Sequence, residues 1–192
     1  MYLIFDTETT GLPLNYRAPV SDLNNWPRLV QLAWELYNDQ GEILETGNYI
    51  IKPVDFIIPL TATQIHHISH EEAMQTGHDL IEVLNKFSQA LNKAQYLIAH
   101  NISFDEKILG AEFLRTGVLN NMLLKPQICT MQSSVNYCQI PNSHSSYKWP
   151  NLNELHFKLF SEMFPDAHNA LVDVKACARC FFELKRRGVI KL

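Results

Sequence analysis

The sequence predicts one α/β domain built on a mixed sheet with helices against its faces. Three observations predict it. The first strand-like segments follow one another through tight turns, as in an antiparallel meander. The later ones are short and apolar and alternate with stretches of helical spacing. A chain of 192 residues, 46% of them hydrophobic, suits a single domain with a full core better than two small ones.

Residues 2–8 (YLIFDTE) read as the first strand and end at the turn Thr10-Gly11-Leu12-Pro13. Residues 13–28 (PLNYRAPVSDLNNWPR) are polar and proline-punctuated, an insertion or long loop. VQLAWELY (30–37) and EILETGNYIIK (42–52) flank the turn signal NDQG and form a hairpin. TATQIHHIS is a short helix or turn. Residues 80–94 are an amphipathic helix with Leu80, Val83, Leu84, Phe87 and Leu91 on one face. QYLIAHN (95–101) is a short strand, and 103–117 a helix closed by Gly117. PQICTM leads a last short strand into a helix over 131–138, and 139–150 is a polar loop. NLNELHFKLF is a helix, and the final one runs from Asn169 to Arg187.

Composition narrows the function classes. The formal net charge of −4 lacks the basic excess of a sequence-reading duplex-DNA binder. It leaves room for a nucleic-acid enzyme, because bound divalent cations reverse the local sign of a carboxylate site. Cys177-x-x-Cys180 lies in a run of helical spacing with no loop to wrap a metal, so these cysteines are expected in the core. No apolar run reaches the roughly 18–20 residues of a membrane span. MYLIFDTE lacks a basic n-region and reads as a strand, so a cytoplasmic protein without membrane partners is expected. The chain stops five residues after the last helix, which favours a free enzyme.

The chemistry lies in the acids. Residues two apart in a strand share a side, so Asp6 and Glu8 project together while Thr7 faces away. At the C-terminal end of a strand they reach the crevice where α/β sheets bind ligands, although strand-end acids are also ordinary surface. Asp105 falls in the first turn of a helix, where an acid stabilises the helix dipole by roughly 0.3–1 kcal/mol. Asp173 shares a helical stripe with Cys177, Cys180 and Leu184, and an acid on a core-facing stripe needs a cation, a hydrogen-bond cage or a metal. His168 stands five residues before it.

FDTETTGL, HNISFD and HNALVD resemble the three motifs of the DnaQ-like 3′–5′ exonucleases, in the branch with four acids and a histidine. Order and spacing match from Asp6 to Asp173; the sister branch carries Tyr where this chain has Asn169. The resemblance implies a ribonuclease H-like fold with a five-stranded sheet, helices on both faces, and two-metal catalysis with Mg²⁺ or Mn²⁺. It implies that Asp6, Glu8 and Asp173 hold one ion, that Asp6 bridges to the second, and that Asp105 completes the second site, largely through waters. It makes His168 the base that takes the proton of the attacking water. Thr9, Gly11 and Leu12 would lie at the terminal nucleotide, with Leu12 wedged against the last base. Asn101 and Phe104 would shape the same pocket. His66, in a His66-His67-Ile68 run where relatives have His-Gly-Ile, would touch the terminal nucleotide.

Tyr147, Lys148 and Trp149 combine aromatic and basic character, as single-strand contacts do, or else mark a loop anchored by Trp149. The expected partner is nucleic acid with a free 3′ end, DNA favoured, and the resemblance leaves association with a polymerase or a homodimer open. An RNA-trimming exoribonuclease and a non-catalytic nucleic-acid-binding domain are the alternative readings.

Overall fold

In the computed structural model, which describes residues 1–143, 146–164 and 168–192, β1 (Tyr2–Thr9) is the middle strand of five. The order is β3-β2-β1-β4-β5, with β2 spanning Leu29–Tyr37, β3 Ile43–Ile50, β4 Tyr96–Ala99 and β5 Gln127–Cys129. β2 pairs antiparallel with β1 and β3, while β4 pairs parallel with β1 and β5. Helices α1 (Leu60–His66), α2 (His70–Thr76) and α3 (Leu80–Lys93) fill the crossover from β3 to β4, and α4 (Ile102–Thr116) the one from β4 to β5. After β5 come α5 (Thr130–Ser133), α6 (Val135–Cys138), α7 (Leu152–Phe160) and α8 (Ala170–Arg186). No helix among the described residues is long and apolar enough to cross a membrane.

The period-two alternation of β1 decides where the acids go. Leu3 and Phe5 pack with Val83, Leu84 and Phe87 of α3 and with Ile108 and Leu109 of α4. Tyr2 and Ile4 pack on the other face against Leu155 of α7 and Val174, Cys177, Phe181 and Leu184 of α8. Each such apolar side chain contributes about 1.5–3 kcal/mol when buried, so a slip of one residue, which would exchange the faces, is strongly disfavoured. Asp6 and Glu8 therefore continue the Tyr2–Ile4 row toward α8, and Thr7 continues the row toward α4. All four cysteines are free and buried, Cys177 and Cys180 in the α8 core as expected.

Several elements differ from the sequence reading. β4 stops at Ala99, and Asn101 sits in the left-handed region at φ 73, so His100 and Asn101 form a turn into α4. Helix α2 was unforeseen; Ser69 caps it, but it buries only Ala73 and so carries little amphipathic signal. The helix expected over 131–138 is two short ones broken at Ser134, whose Oγ donates to the carbonyls of Thr130 (2.7 Å) and Met131 (3.1 Å). Such back-bonding bends a helix.

The 13–28 segment is a packed loop. Asn25 accepts from the Asn15 backbone N–H at 2.7 Å and donates to its carbonyl at 3.0 Å, and the buried Trp26 donates from Nε1 to Pro19 at 3.0 Å. Fully buried Glu112 on α4 clamps it, accepting from Arg28 Nε (2.9 Å) and Leu29 N (3.0 Å) and pairing with Arg115 (3.1 Å). Arg115 in turn donates to the carbonyls of Leu23 (2.5 Å) and Trp26 (2.7 Å). Glu112→Ala should cost about 3 kcal/mol, the low end for removing one member of a buried ion pair, because Arg28 keeps some access to water. Melting should fall by roughly 6–12 °C, with faster proteolysis within 13–28. An unchanged melting temperature would show that the clamp holds nothing.

Candidate active site

Strand β1 and the first turns of α4 and α8 bring four carboxylates to one end of the sheet. Asp6 and Glu8 arrive from β1. Asp105, buried in the first turn of α4, reaches across to β1, where its Oδ1 accepts from Thr7 N at 3.1 Å and Thr7 Oγ1 at 2.7 Å. Thr7, facing away from the acids beside it, is thus the clasp that aims the third one. Asp173 lies in the first turn of α8, behind Asn169, whose side chain caps the helix by accepting from the N–H groups of Leu171 (3.2 Å) and Val172 (3.4 Å). Gln31 of β2 docks that end on the sheet by accepting from Ala170 N at 3.2 Å. His168, exposed and in the left-handed region at φ 73, donates its backbone N–H to Asp173 at 3.0 Å. Glu8, His168 and Asp173 each offer a ligand atom within 4.8 Å of the others. Asp6, His168 and Asp173 line a cleft of about 210 Å³ whose wall includes His100, Asn153 and Phe164.

The electrostatics are one-sided. Among the described residues, no lysine or arginine forms an ion pair with any of the four acids. Burial lifts Asp6 well above the carboxylate range, and the charges of Asp105, Asp173 and Glu8 push it further. Glu8 rises to about 8 through burial, then the charges of Asp173 and Asp105. Burial takes Asp105 to about 7 against the opposing hydrogen bonds from Thr7. It takes Asp173 to about 6 against the His168 N–H. Hard oxygen ligands crowded together without a counter-charge suit a divalent cation of the magnesium class.

The other expected contacts divide between two places. Thr9 is buried, and its Oγ1 donates to the Gly11 carbonyl at 2.7 Å, closing the turn; Gly11 at φ +150 adopts a conformation that L side chains rarely take. Leu12 stands out of the fold, 72% exposed. His66 is buried; its Nδ1 accepts from Ile68 N at 3.1 Å, so Nε2 carries the proton, and Nε2 has no hydrogen-bond partner among the described residues. Burial, together with the charges of His67 and His168, pushes the His66 pKa down. His67 occupies the left-handed C-cap of α1 at φ 63, a backbone position natural to Gly. Asn101 and Phe104 line a separate groove next to the cleft. The alternative of a loop anchored by Trp149 does not hold, since that ring is 61% exposed.

Two residues of the cleft escaped the sequence reading. His100 donates from Nε2 to the Pro150 carbonyl at 3.0 Å and so accepts at Nδ1 from Thr130 Oγ1 at 3.0 Å. Burial lowers its pKa to about 4, keeping it neutral as the strut between β4 and the 139–150 loop. Its signal was a polar side chain directly after a buried strand. Asn153 has its amide oxygen buried without a partner among the described residues, and nothing in its sequence surroundings marks it.

A family model described as an exonuclease, RNase T, matches residues 3–181. The chain belongs to this exonuclease family. The exonuclease domain is 30% identical over 194 residues to the PolC-type DNA polymerase III of Mycoplasmopsis pulmonis (strain UAB CTIP), covering 98% of this chain and 12% of the relative. It is 31% identical over 183 residues to that of Streptococcus pyogenes serotype M2 (strain MGAS10270), covering 94% and 11%. Among solved structures, E. coli exonuclease I in complex with a dT13 oligonucleotide superposes with a TM-score of 0.75 at 18% identity, covering 97% of this chain and 41% of that one. The zinc-bound exonuclease I–ssDNA complex gives 0.72 at 20% identity, covering 97% and 40%. The chain therefore spans about a tenth of the polymerases and two fifths of exonuclease I. The exonuclease I likeness shows the same fold: a mixed five-stranded α/β sheet of the ribonuclease H-like class.

The raised carboxylates fix a sign for stability. Their folded pKa values exceed the unfolded ones, so their contribution is fully present below about pH 4 and is lost as pH rises through the folded values of about 6, 7 and 8 for Asp173, Asp105 and Glu8. In chelator, the melting temperature of Glu8→Gln should exceed that of the wild type by roughly 3–6 °C at about pH 8.5, with the gap closing toward about pH 5. Equal melting at the higher pH would contradict the crowding.

Proposed function

We propose that this domain is a metal-dependent 3′–5′ exonuclease that releases nucleoside 5′-monophosphates from the 3′ end of single-stranded or frayed nucleic acid, DNA in preference to RNA. One observation carries the reading: Asp6, Glu8, Asp105 and Asp173 converge at one sheet end with no cationic side chain paired to them among the described residues. That donor set would hold two Mg²⁺ or Mn²⁺ ions, Asp6, Glu8 and Asp173 one, and Asp6 with Asp105 the other; of these, Glu8 and Asp173 offer ligand atoms within 4.8 Å of each other and of His168. When bound, the ions supply the positive charge that offsets the negative charge building on the phosphate and leaving oxygens.

The chain's own groups do the rest. His168 accepts the proton of the attacking water, a task suited to imidazole near neutral pH. The water oxygen bonds to phosphorus, the bond to the 3′ oxygen breaks, that oxygen takes up a proton from solvent, and the products are a nucleoside 5′-monophosphate and a strand ending in a 3′-hydroxyl. The solvent-facing Leu12 lies against the last base, over the turn shaped by Thr9 and Gly11. The Nε2–H of His66, without a partner among the described residues, donates to the terminal nucleotide. The DNA preference rests on relatives named as DNA polymerases and on the fold shared with exonuclease I, solved with oligodeoxynucleotides. The same polymerases support association with a replicative polymerase and a proofreading or repair role.

A 5′-labelled oligonucleotide with Mg²⁺ should give a descending ladder that chelator or a 3′-phosphate abolishes. His168→Ala should lower kcat by about 10²–10⁴-fold. Wild-type rates in His168→Ala or Asp173→Asn would overturn the assigned roles.

A further inference from the structure

We propose that the groove between the 13–28 loop and Trp149 is a base-stacking subsite for single-stranded DNA, holding bases upstream of the 3′-terminal nucleotide. The proposal rests on the exonuclease reading and extends it to residues outside the three motifs.

Tyr16, Trp26, Asn101, Phe104, Lys107 and Trp149 line this groove of about 330 Å³. Four separate parts of the chain build it: the 13–28 loop, the start of α4, Met131 of α5, and Trp149. Tyr16 is 53% exposed and Trp149 61%, so neither ring serves the core. Trp26 does, and its Nε1 is already satisfied by Pro19. Lys107 fixes the geometry, donating from Nζ to the Tyr16 carbonyl at 2.7 Å while sitting 5.1 Å from the centre of the Trp26 ring. This pins the backbone of Tyr16 and sets one positive charge in an aromatic trough. The Glu112 clamp holds the same loop from behind, so Tyr16 stands on a rigid base.

The groove lies next to the catalytic cleft, with Trp149 on its wall two residues before Asn151 on the wall of the cleft. Asn101 follows His100, which lines the cleft, and Phe104 precedes Asp105. A strand whose 3′ end lies among the acids meets this trough next. Nucleobases match it because every base presents a π-face, and stacking on an aromatic side chain is worth about 1–3 kcal/mol per base whatever the sequence. In a chain of net charge −4, stacking rather than phosphate attraction has to supply much of the hold. A base inside a duplex is already stacked on both faces, so entry selects unpaired strands.

The test uses the full chain and two substrates, an oligo(dT) of about 15 nucleotides and the p-nitrophenyl ester of thymidine 5′-monophosphate, too short to reach the groove. In Tyr16→Ala/Trp149→Ala the KM for oligo(dT) should rise about 10–100-fold, as the loss of one to two stacking contacts implies. Its kcat, and hydrolysis of the ester, should stay near wild type. Tyr16→Phe/Trp149→Phe should restore the KM. Fluorescent oligo(dT) binding in chelator gives a readout independent of catalysis, and the same loss and rescue are expected there. Unchanged KM and binding in the alanine variant would overturn the subsite, as would a wild-type protein that binds no oligo(dT). A wild type that binds it through these rings yet hydrolyses neither substrate would instead overturn the exonuclease reading.

Discussion

Four carboxyl side chains crowded together, with no lysine or arginine paired to them among the described residues, are a strain that the rest of the molecule has to contain. Asp6 illustrates it: burial and three neighbouring acids all disfavour its charge. Left to itself the cluster would spread apart. It stays together because β1 has a packed core on each face and the helices carrying Asp105 and Asp173 are seated on those cores. Stability from apolar burial thus holds in place a site that is electrostatically unfavourable until cations enter. That is a familiar trade between stability and function.

Small polar contacts convert this rigid frame into a specific geometry. Thr7 orients Asp105, Asn169 and Gln31 fix the start of α8 and hence Asp173, and the His168 N–H steadies Asp173 itself. His100 braces the wall of the cleft against the 139–150 loop. Apart from His168, none of these residues is assigned contact with a reacting atom, yet each sets the position of a residue that is, and a functional constellation depends on such support. The packed 13–28 loop follows the same logic, anchored by the buried Glu112 and presenting Tyr16 at the edge of the neighbouring groove.

How far the sequence discloses this follows from where each signal resides. β1 and α8 were legible because period two and period 3.6 are local patterns, and their acids sit in register with apolar neighbours. The hairpin was legible from NDQG, where Asn38 Oδ1 accepts from Gln40 N at 3.0 Å and Glu42 N at 2.9 Å. Helix α2 was not, because one buried alanine leaves no amphipathic trace. The break at Ser134 depends on a side chain choosing its own helix carbonyls, and the Glu112 clamp on partners 84 residues away in sequence. The loop from 13 to 28 read as polar because its backbone groups find partners within the loop and on α4, contacts that composition does not encode. His100 carried only the signal of a polar residue after a buried strand, its partners Thr130 and Pro150 lying 30 and 50 residues away, and Asn153 became visible only in the wall of the cleft.

The most direct test of this account is calorimetric titration of the chelator-treated protein with Mn²⁺ near pH 7, in buffers of different ionisation enthalpy. Glu8 and Asp105, raised to about 8 and about 7, hold protons there that cation binding must displace. The expected result is saturable binding with proton release, both abolished in Asp6→Asn. Absence of binding, or binding that neither releases protons nor depends on Asp6, would contradict the account.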